Sequence, residues 1–261
     1  MEKKNIIAFI NTKGGVGKTK ISTQVATVAL AKAEIEFSLI EMDNNNCTPA
    51  ALQKSVLLAE KFKTLDLKAS EQELERMFVE LSIDSGKHYI IDVGGGDDTK
   101  NFIKMIKSEG LDKNTLFIVP YTADFEALQN LHDTLALIQD QDYFVVLNNV
   151  ALDSRDHMIF ADGEKDLKLE NMKKKIGEER FFIVPNTPFF SLSVAQHKMT
   201  AWDIAQVALK FTREQILEKH KDNGLEESLE AYRRWKISND VVQYFEQHEV
   251  TRLIEAIQKT M

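Results

Sequence analysis

Residues 6–19 read IIAFINTKGGVGKT, an apolar run followed directly by a glycine-rich loop. From Thr12 to Thr19 this stretch fits the phosphate-loop pattern, except that Thr12 takes the position of the usual leading glycine. Glycines let the backbone turn tightly and aim its N–H groups at an anion, and a helix that begins near Lys18 adds its dipole. The pattern predicts that Lys18 reaches the β- and γ-phosphates of a nucleotide and that the Thr19 hydroxyl holds Mg²⁺.

Further apolar runs follow the first one along the chain and indicate the fold. They cover residues 37–40, 89–91, 116–119 and 144–147, with a sixth candidate at residues 181–184. Strands that are covered on both faces need no polar alternation, so these runs predict buried strands of a parallel sheet. Segments with helical spacing lie between them. The alternation predicts an α/β fold, with a doubly wound, mostly parallel sheet flanked by helices.

Composition and charge exclude several classes of protein. The 261 residues include 33 basic and 41 acidic ones, which gives a net charge of −8 and argues against a surface that is basic all over. The single cysteine, Cys47, cannot form an internal disulfide or a Cys-based zinc or iron–sulfur site within one chain, and favours a cytoplasmic location. The first apolar run stops before Asn11, well short of a secretory or membrane-spanning segment.

The chain changes character at residue 210. From there on it has no strand-like run, and Gly224 is its only glycine, so this part is expected to be wholly helical. We predict a phosphate-loop domain at residues 1–209 and a helical extension at residues 210–261 that packs on the same domain. An apolar stripe at helical spacing near the end predicts a docked last helix rather than a membrane-binding one; it comprises Val250, Leu253, Ile254 and Ile257.

Residues 13–19, KGGVGKT, resemble the deviant phosphate loop of the ParA/MinD ATPases. The resemblance implies that Lys13 is a signature lysine, which reaches across a dimer interface to the partner's nucleotide. That contact forms only when two ATP-bound subunits face each other, and two nucleotide sites brought together need cations to offset their phosphate charge. The likeness extends over roughly residues 5–205 as a fold-level pattern, and it implies a P-loop ATPase domain.

Two aspartates follow later strands at positions that matter in this family. Asp43 matches the second aspartate of the family's Asp-x-Asp-Pro-Gln segment, which implies a place near Mg²⁺ and the attacking water. Glu41 replaces the first aspartate and Asn44-Asn45 replace Pro-Gln, so the positioning of that water is left open. Asp92 ends an apolar strand, where an isolated carboxylate is costly to bury unless a cation or donors lie nearby. It resembles the Walker B aspartate, which holds Mg²⁺ through water.

A second glycine-rich segment, GGGDD at residues 94–98, comes directly after that strand. With Asp92 it resembles the second switch of phosphate-loop switch proteins. The family more often carries proline just after this aspartate. The departure is similar to the TraL branch of the family, which is found with conjugative transfer systems.

Two later strand ends resemble the part of the family that binds the base. Asn148 matches an asparagine that reads the adenine edge, since an amide can both donate and accept, although a simple strand-end turn also accounts for it. Residues 183–186 resemble a later loop that packs on the base, which implies a role for Pro185. The predicted catalytic residues are Lys13, Lys18, Asp43 and Asp92, and the predicted metal ligands are Thr19, Asp43 and Asp92. The predicted nucleotide-binding residues are Gly14, Gly15, Val16, Gly17, Lys18, Thr19, Lys20, Asn148 and Pro185.

The resemblance implies an ATP-dependent switch that dimerises with ATP and Mg²⁺ bound, hydrolyses ATP slowly, and positions plasmid DNA or a conjugative transfer complex. It also implies a protein partner that stimulates hydrolysis. A membrane partner is not expected, because the apolar stripe of the last helix predicts docking rather than membrane binding. Non-specific DNA is a further expected partner, through a basic patch drawn from Lys173, Lys174, Lys175, Lys198, Arg233 and Arg234.

Two alternatives stay open from the sequence. One is a metabolic ATP-dependent enzyme on the same fold, similar to the dethiobiotin-synthetase relatives. The other is an ATP-binding regulator with impaired hydrolysis, because Glu41 and Asn44-Asn45 alter the first switch. An electron-transfer ATPase like the nitrogenase iron protein is disfavoured, because Cys47 alone cannot give two cluster ligands per subunit.

Overall fold

Seven strands form one sheet in the part of the chain that the structure describes. The computed structural model describes residues 3–42, 48–65, 71–83, 86–150 and 169–261. The strands are β1 (Ile6–Phe9), β2 (Phe37–Met42), β3 (Phe62–Thr64), β4 (His88–Val93), β5 (Thr115–Tyr121), β6 (Tyr143–Val150) and β7 (Phe181–Pro185).

The order of the strands places β1 at the centre of the sheet. They run β3-β2-β4-β1-β5-β6-β7, and every neighbouring pair is parallel. The chain therefore builds the sheet first on one side of β1 and then on the other. In such open sheets ligands bind in the crevice at the carboxyl ends of the strands, where the strand order reverses. The glycine-rich loop begins at this point, directly after β1.

Helices connect the strands and cover both faces of the sheet. The first helix after β1 runs through three consecutive segments: α1 (Lys18–Ile21), a π-helical segment (Ser22–Ala26) and α2 (Thr27–Lys32). The others are α3 (Thr48–Ala51), α4 (Glu71–Ile83), α5 (Asp97–Ser108), α6 (Phe125–Leu137), α7 (Leu169–Ile176), α8 (Phe189–Leu192), α9 (Ala201–Lys210), α10 (Arg213–His220), α11 (Leu225–Phe245) and α12 (His248–Thr260).

Alternate residues of β1 pack into two different hydrophobic cores. Ile6 and Ala8 belong to the core under α4, α5, α6 and α7, whereas Ile7 and Phe9 belong to the core under α2, α9, α11 and α12. All four are fully buried. Burying a side chain as large as isoleucine or phenylalanine stabilises a fold by about 1.5–3 kcal/mol. The central strand therefore contributes to the packing of helices on both faces of the sheet.

The last helix lies in the second of these cores. In α12 the side chains of Val250, Leu253, Ile254 and Ile257 are buried, and the helix packs against α2 and β7. The predicted docking of this apolar stripe is confirmed. Among the described helices, none is long and apolar enough to cross a membrane.

The predicted fold class is confirmed, and six predicted runs correspond to β1, β2, β4, β5, β6 and β7. The helical character of the chain after residue 210 is confirmed as well. β3 escapes sequence-based prediction because its three residues, Phe62, Lys63 and Thr64, include only one apolar side chain. The division of the chain into residues 1–209 and 210–261 stays a prediction.

Candidate nucleotide-binding site

The loop after β1 has the backbone of an anion-binding loop. Gly15 and Gly17 adopt positive φ angles of 76° and 98°, in the left-handed region that residues with a Cβ rarely occupy. The helix begins directly afterwards, at Lys18. A Cβ added to Gly17 would lie 2.0 Å from Nδ2 of Asn148. The positive φ of Gly17 and the nearby Asn148 side chain therefore both favour glycine at this position.

Lys18 is turned into the loop. Its side chain is only 7% exposed, and Nζ donates to the carbonyl oxygens of Lys13 at 3.3 Å and Asn11 at 3.4 Å. The ammonium group thus lies along the concave side of the glycine-rich turn, where it would contact the phosphates that the loop amides bind.

Thr12 joins the loop to α6. Its hydroxyl donates to Oδ1 of Asn130 at 2.9 Å, and its N–H donates to the Thr134 hydroxyl at 3.2 Å. A glycine could make only the second of these bonds. Asn11, the residue before Thr12, also holds this end of the loop, because its Nδ2 donates to the Pro120 carbonyl at 2.8 Å. The threonine in place of the leading glycine therefore anchors the loop to a neighbouring helix.

Lys13 points away from the loop interior. Nζ lies 2.8 Å from Oδ1 of Asp124, which caps the N-terminus of α6, and 3.2 Å from Oε2 of Glu126. The bond to Asp124 is the main reason that the pKa of Lys13 is raised. Partial burial would by itself raise the pKa of Asp124, but the bonds from Lys13, Thr122 and Ala127 outweigh it and lower that pKa. Both groups are therefore charged at neutral pH, and the ion pair lies at the rim of the site.

The two glycine-rich segments lie against each other. The Gly96 N–H donates to the Thr12 carbonyl at 2.7 Å, and a Cβ added to Gly95 would lie 3.0 Å from the Gly14 nitrogen. The Thr99 hydroxyl donates to the carbonyl oxygens of Asn11 at 3.0 Å and Gly94 at 2.7 Å. A movement of the second segment therefore reaches the phosphate loop through direct backbone contact.

Two buried carboxylates lie near the carboxyl ends of neighbouring strands. Glu41 and Asp92 are register partners on β2 and β4, and each is 2% exposed. The Thr48 hydroxyl donates to Oε1 of Glu41. Asp43 lies outside the described residues, so its predicted role stays a prediction.

These oxygens suit a hard cation such as Mg²⁺, which is usually held by one or two carboxylates together with substrate phosphates. Within the described ranges there is no cluster of three or more His, Cys, Asp or Glu side chains that would hold a metal by itself. Of the predicted metal ligands, Asp92 and the Thr19 hydroxyl would hold Mg²⁺, and Glu41 is a further carboxylate on the strand beside Asp92. The predicted part of Asp43 in this site stays a prediction. Sequence patterns mark Glu41 only as a replaced aspartate, because strand register is not visible in the sequence.

Asn148 lies under the loop, and only one of its two amide atoms forms a hydrogen bond within the described residues. It is 4% exposed, and Nδ2 donates to the Val16 carbonyl at 3.0 Å. The buried Oδ1 has no hydrogen-bond partner among the described residues. Because the bond to Val16 fixes the orientation of the amide, Oδ1 is left as the acceptor of this side chain. An exocyclic amine such as that of adenine fits this acceptor, whereas the O6 carbonyl of guanine does not.

A pocket of about 620 Å³ opens beside the loop. It is lined by residues of α1 and α3, by Asn149, and by a segment from Asn186 to Ala195. A β-bulge between β6 and β7, with a positive φ of 66° at Asn149, turns that side chain toward the pocket. Pro185 belongs to β7 and does not line the pocket, and its carbonyl accepts a bond from the Tyr244 hydroxyl at 2.9 Å.

Sequence patterns miss Asn149 and Phe190 as pocket residues, whereas Asn186 belongs to the segment of residues 183–186 that resembles a loop packing on the base. The signal for Asn149 is its residue type, since asparagine tolerates a positive φ better than most residues. Lys20 also lines this pocket, with its pKa lowered by burial.

Together, the central loop after β1, the inward lysine and the carboxylates on adjacent strands define a P-loop nucleotide-binding protein. Residues 7–198 match the model of the CobQ/CobB/MinD/ParA nucleotide-binding domain family, CbiA, and the chain belongs to this family. The predicted relationship to the ParA/MinD ATPases is confirmed. No curated protein sequence matches the chain significantly.

Solved structures with the same fold span nearly the whole chain. A MinC:MinD cell division protein complex from Aquifex aeolicus is 15% identical with a TM-score of 0.53, over 93% of this chain and 96% of that one. MinD from the same organism is 17% identical with a TM-score of 0.51, over 93% and 98%. The ATP complex of a McdA variant from Cyanothece is 12% identical with a TM-score of 0.52, over 93% and 98%. At these identities the likeness shows the fold.

Proposed function

We propose that this protein is an ATP-dependent switch, which dimerises when it holds Mg²⁺ and ATP and returns to a monomer after hydrolysis. The observation that carries the proposal is the opposite placement of two lysines in one loop. Lys18 is buried inside its own loop, whereas Lys13 is turned outward to the rim, where it pairs with Asp124 and Glu126. A lysine at the rim is available to the phosphates of a second subunit, once an anion of higher charge displaces those carboxylates.

In this proposal, different residues of the chain bind the phosphates, hold Mg²⁺ and position the attacking water. The loop amides and Lys18 would bind the phosphates. Thr19, Asp92 and Asp43, with Glu41 beside Asp92, would hold Mg²⁺, which would offset the charge of the β- and γ-phosphates. Asp43 positions the water that attacks the γ-phosphorus, so that ADP and inorganic phosphate are released. The contact between Gly95 and Gly14 would transmit the loss of the γ-phosphate to the second switch.

Adenine is the base that we propose for this site. The buried Oδ1 of Asn148 accepts from the adenine amine while Nδ2 stays on Val16. The ATP complex of the McdA variant supports this choice of nucleotide in a protein of the same fold.

The solution mass of the protein tests the switch. With Mg²⁺ and a non-hydrolysable ATP analogue we expect a dimer, and with Mg²⁺ and ADP a monomer, with Lys13→Ala monomeric in both. Lys63→Ala is the matched control, because Lys63 is also an ion-paired surface lysine, bonded to Glu80, but lies on β3 away from the loop. The same mass in both nucleotide states would contradict the switch and favour an ATP-dependent enzyme that acts on a small molecule.

The cellular role that we propose is positioning of plasmid DNA or of a conjugative transfer complex, with a protein partner that stimulates hydrolysis. The GGGDD segment at residues 94–98 supports the TraL-like branch, and the MinC:MinD complex is a protein of this fold with a bound partner. Lys173, Lys174 and Lys175 lie in the last turn of α7, where the latter two are exposed and suit a DNA backbone.

Binding of duplex DNA at several salt concentrations tests this contact. We expect the ATP-bound dimer to bind, the affinity to fall as salt rises, and replacement of the three lysines by alanine to reduce the salt dependence. Equal binding by that variant would exclude α7 as the DNA contact.

A further inference from the structure

A second cavity, of about 370 Å³, lies between α9 and the segment that precedes β3. We call it the Trp202 pocket. Most of its lining residues are either apolar or cationic: Lys54, Val56, Leu57, Met199, Trp202 and Lys210. None of its described lining residues also lines the 620 Å³ pocket beside the phosphate loop. The Trp202 pocket is therefore separate from the candidate nucleotide site.

The carboxylate of Asp203 joins the two walls of this pocket. Its oxygens accept from the Ser55 hydroxyl at 2.6 Å, the Leu57 N–H at 2.9 Å and the Val56 N–H at 3.1 Å. The N–H and the hydroxyl of Thr200 donate to it as well, at 2.9 and 2.6 Å. Five donors occupy the acceptor sites of this carboxylate. The pocket is thus held in shape by the protein's own bonds, and a ligand does not have to order it.

The lysines around the pocket lack an anionic partner in the part of the chain that the structure describes. Lys54 and Lys210 are exposed and form no ion pair there, and the oxygens of Asp203 are already bonded to other donors. A third lysine, Lys32 of α2, has its Nζ 5.1 Å from the centre of the Trp202 ring. The protein as a whole carries a net charge of −8, so this is a local positive field that attracts an anion.

Apolar surface extends from the pocket in two directions. The Trp202 ring is held edge-on against Phe245, at 5.3 Å between centroids. Val56 is 82% exposed, and Leu209, which lies about two turns after Trp202 on the same side of α9, is 49% exposed. A small molecule inside the pocket would leave both side chains in water, whereas a peptide chain that crosses the pocket can cover them.

We propose that the Trp202 pocket binds an acidic segment of another protein. An apolar side chain of that segment enters the pocket against Trp202, and flanking carboxylates pair with Lys54 and Lys210. A DNA backbone supplies phosphates but no apolar side chain, so it fits the lysines and leaves the apolar floor uncovered. The inference goes beyond the proposed function, and it rests on neither nucleotide binding nor dimerisation.

Selection from a display library of short random peptides, carried out on the wild type without nucleotide, tests the proposal. We expect the selected peptides to carry an apolar or aromatic residue flanked by Asp or Glu. In fluorescence anisotropy their affinity should fall as salt rises. The double variant Lys54→Gln/Lys210→Gln should bind them about 3- to 30-fold more weakly, and Val56→Ser should also weaken binding. Lys104→Gln/Lys236→Gln is the matched control, because it removes two exposed lysines on α5 and α11, away from the pocket, and should bind as the wild type does.

Tryptophan emission locates the bound peptide. Trp235→Phe leaves Trp202 as the only tryptophan of the chain, and we expect its emission to shift when a selected peptide binds. An unchanged emission spectrum would place the peptide elsewhere and overturn the inference.

Other results would also overturn the proposal. Selected peptides without acidic residues, or equal binding by the double variant and its control, would contradict the pairing with Lys54 and Lys210. N-acetylglutamate that binds as tightly as the selected peptides would make the pocket a small-molecule site. Short duplex DNA that alone loses affinity in the double variant would assign these lysines to DNA. Because nucleotide is absent throughout, failure of the ATP-dependent switch leaves all of these outcomes unaffected.

Discussion

At the scale of single residues, the site depends on the absence of a side chain at Gly17, because a Cβ there would displace the Asn148 amide. Gly17 has a φ of 98°, and its missing Cβ leaves room for the Asn148 amide. The same amide holds Val16 and leaves Oδ1 for a ligand. A Cβ on the glycine would overlap the asparagine amide, so the shape of the loop and the proposed base preference depend on the same pair of residues.

Gly17→Ala is therefore expected to lose nucleotide binding. The positive φ alone costs about 1–2 kcal/mol for alanine, and the new methyl group displaces the Asn148 amide. Gly110→Ala is the control, because Gly110 also has a positive φ, 69°, but has no atom within 4 Å of the added Cβ. Urea unfolding and ATP binding measure both effects; equal losses of binding in the two variants would contradict the argument.

Asn148→Ala is expected to remove the preference for ATP over GTP. The variant lacks the acceptor for the adenine amine, and each good polar contact contributes a discrimination of about 1–3 kcal/mol. The ratio of the two dissociation constants is the quantity to measure, because a general weakening of the loop cancels in it. An unchanged ratio would show that another group reads the base.

Local residue types made part of this site predictable, and the rest depends on contacts between distant segments. The loop residues from Gly14 to Thr19 follow from a motif, since the motif itself encodes a backbone shape. The pairing of Glu41 with Asp92 follows from strand register, and the place of Asn149 in the pocket follows from a β-bulge. Both depend on which strands become neighbours in the sheet, and the residue types of a single strand do not determine that.

At the scale of elements, α12 shows how a periodic stripe becomes part of the core. Leu253 and Ile257 are fully buried, although they lie more than 240 residues from β1, whose Ile7 and Phe9 share the same core. The apolar period predicts the helix, and burial of its stripe explains why it docks. β3 illustrates the opposite case, because three residues beside β2 owe their strand conformation to pairing alone.

Leu253→Ala is expected to lower the free energy of unfolding by about 2–5 kcal/mol. The cavity it leaves is enclosed by the core, so the lost contacts are not replaced by water. Ile237→Ala on α11 is the matched control, since Ile237 is 49% exposed and its truncation should change stability by about 0.5 kcal/mol or less. Similar losses in both variants would contradict the docking of α12.

At the scale of the whole molecule, one sheet carries two cores, and the helices after residue 210 contribute to one of them. Val241 and Phe245 of α11 pack in the same cluster as Ile7 and Phe9 of β1. A shared core of this kind favours cooperative unfolding of the whole chain. The predicted extension at residues 210–261 would then unfold together with the rest.

Two tryptophans allow this to be measured. The chain has only these two, Trp202 on α9 and Trp235 on α11. Trp235 lies in the predicted extension, and the Trp202 ring lies 5.3 Å from the Phe245 ring of α11, so tryptophan fluorescence reports this part of the chain while far-ultraviolet circular dichroism reports the whole. We expect the two urea transitions to coincide. A fluorescence transition at lower urea would instead show that the helices after residue 200 unfold as a separate unit.

The two outer strands of the sheet bear on how copies of this protein would associate. β3 is only three residues long and carries Lys63 in an ion pair with Glu80, and β7 ends in Pro185, which has no N–H to donate. Short strands, lysine and proline at a sheet edge all oppose pairing with a further strand. Continuation of the sheet from one copy to the next, which leads to fibres, is therefore disfavoured at both edges.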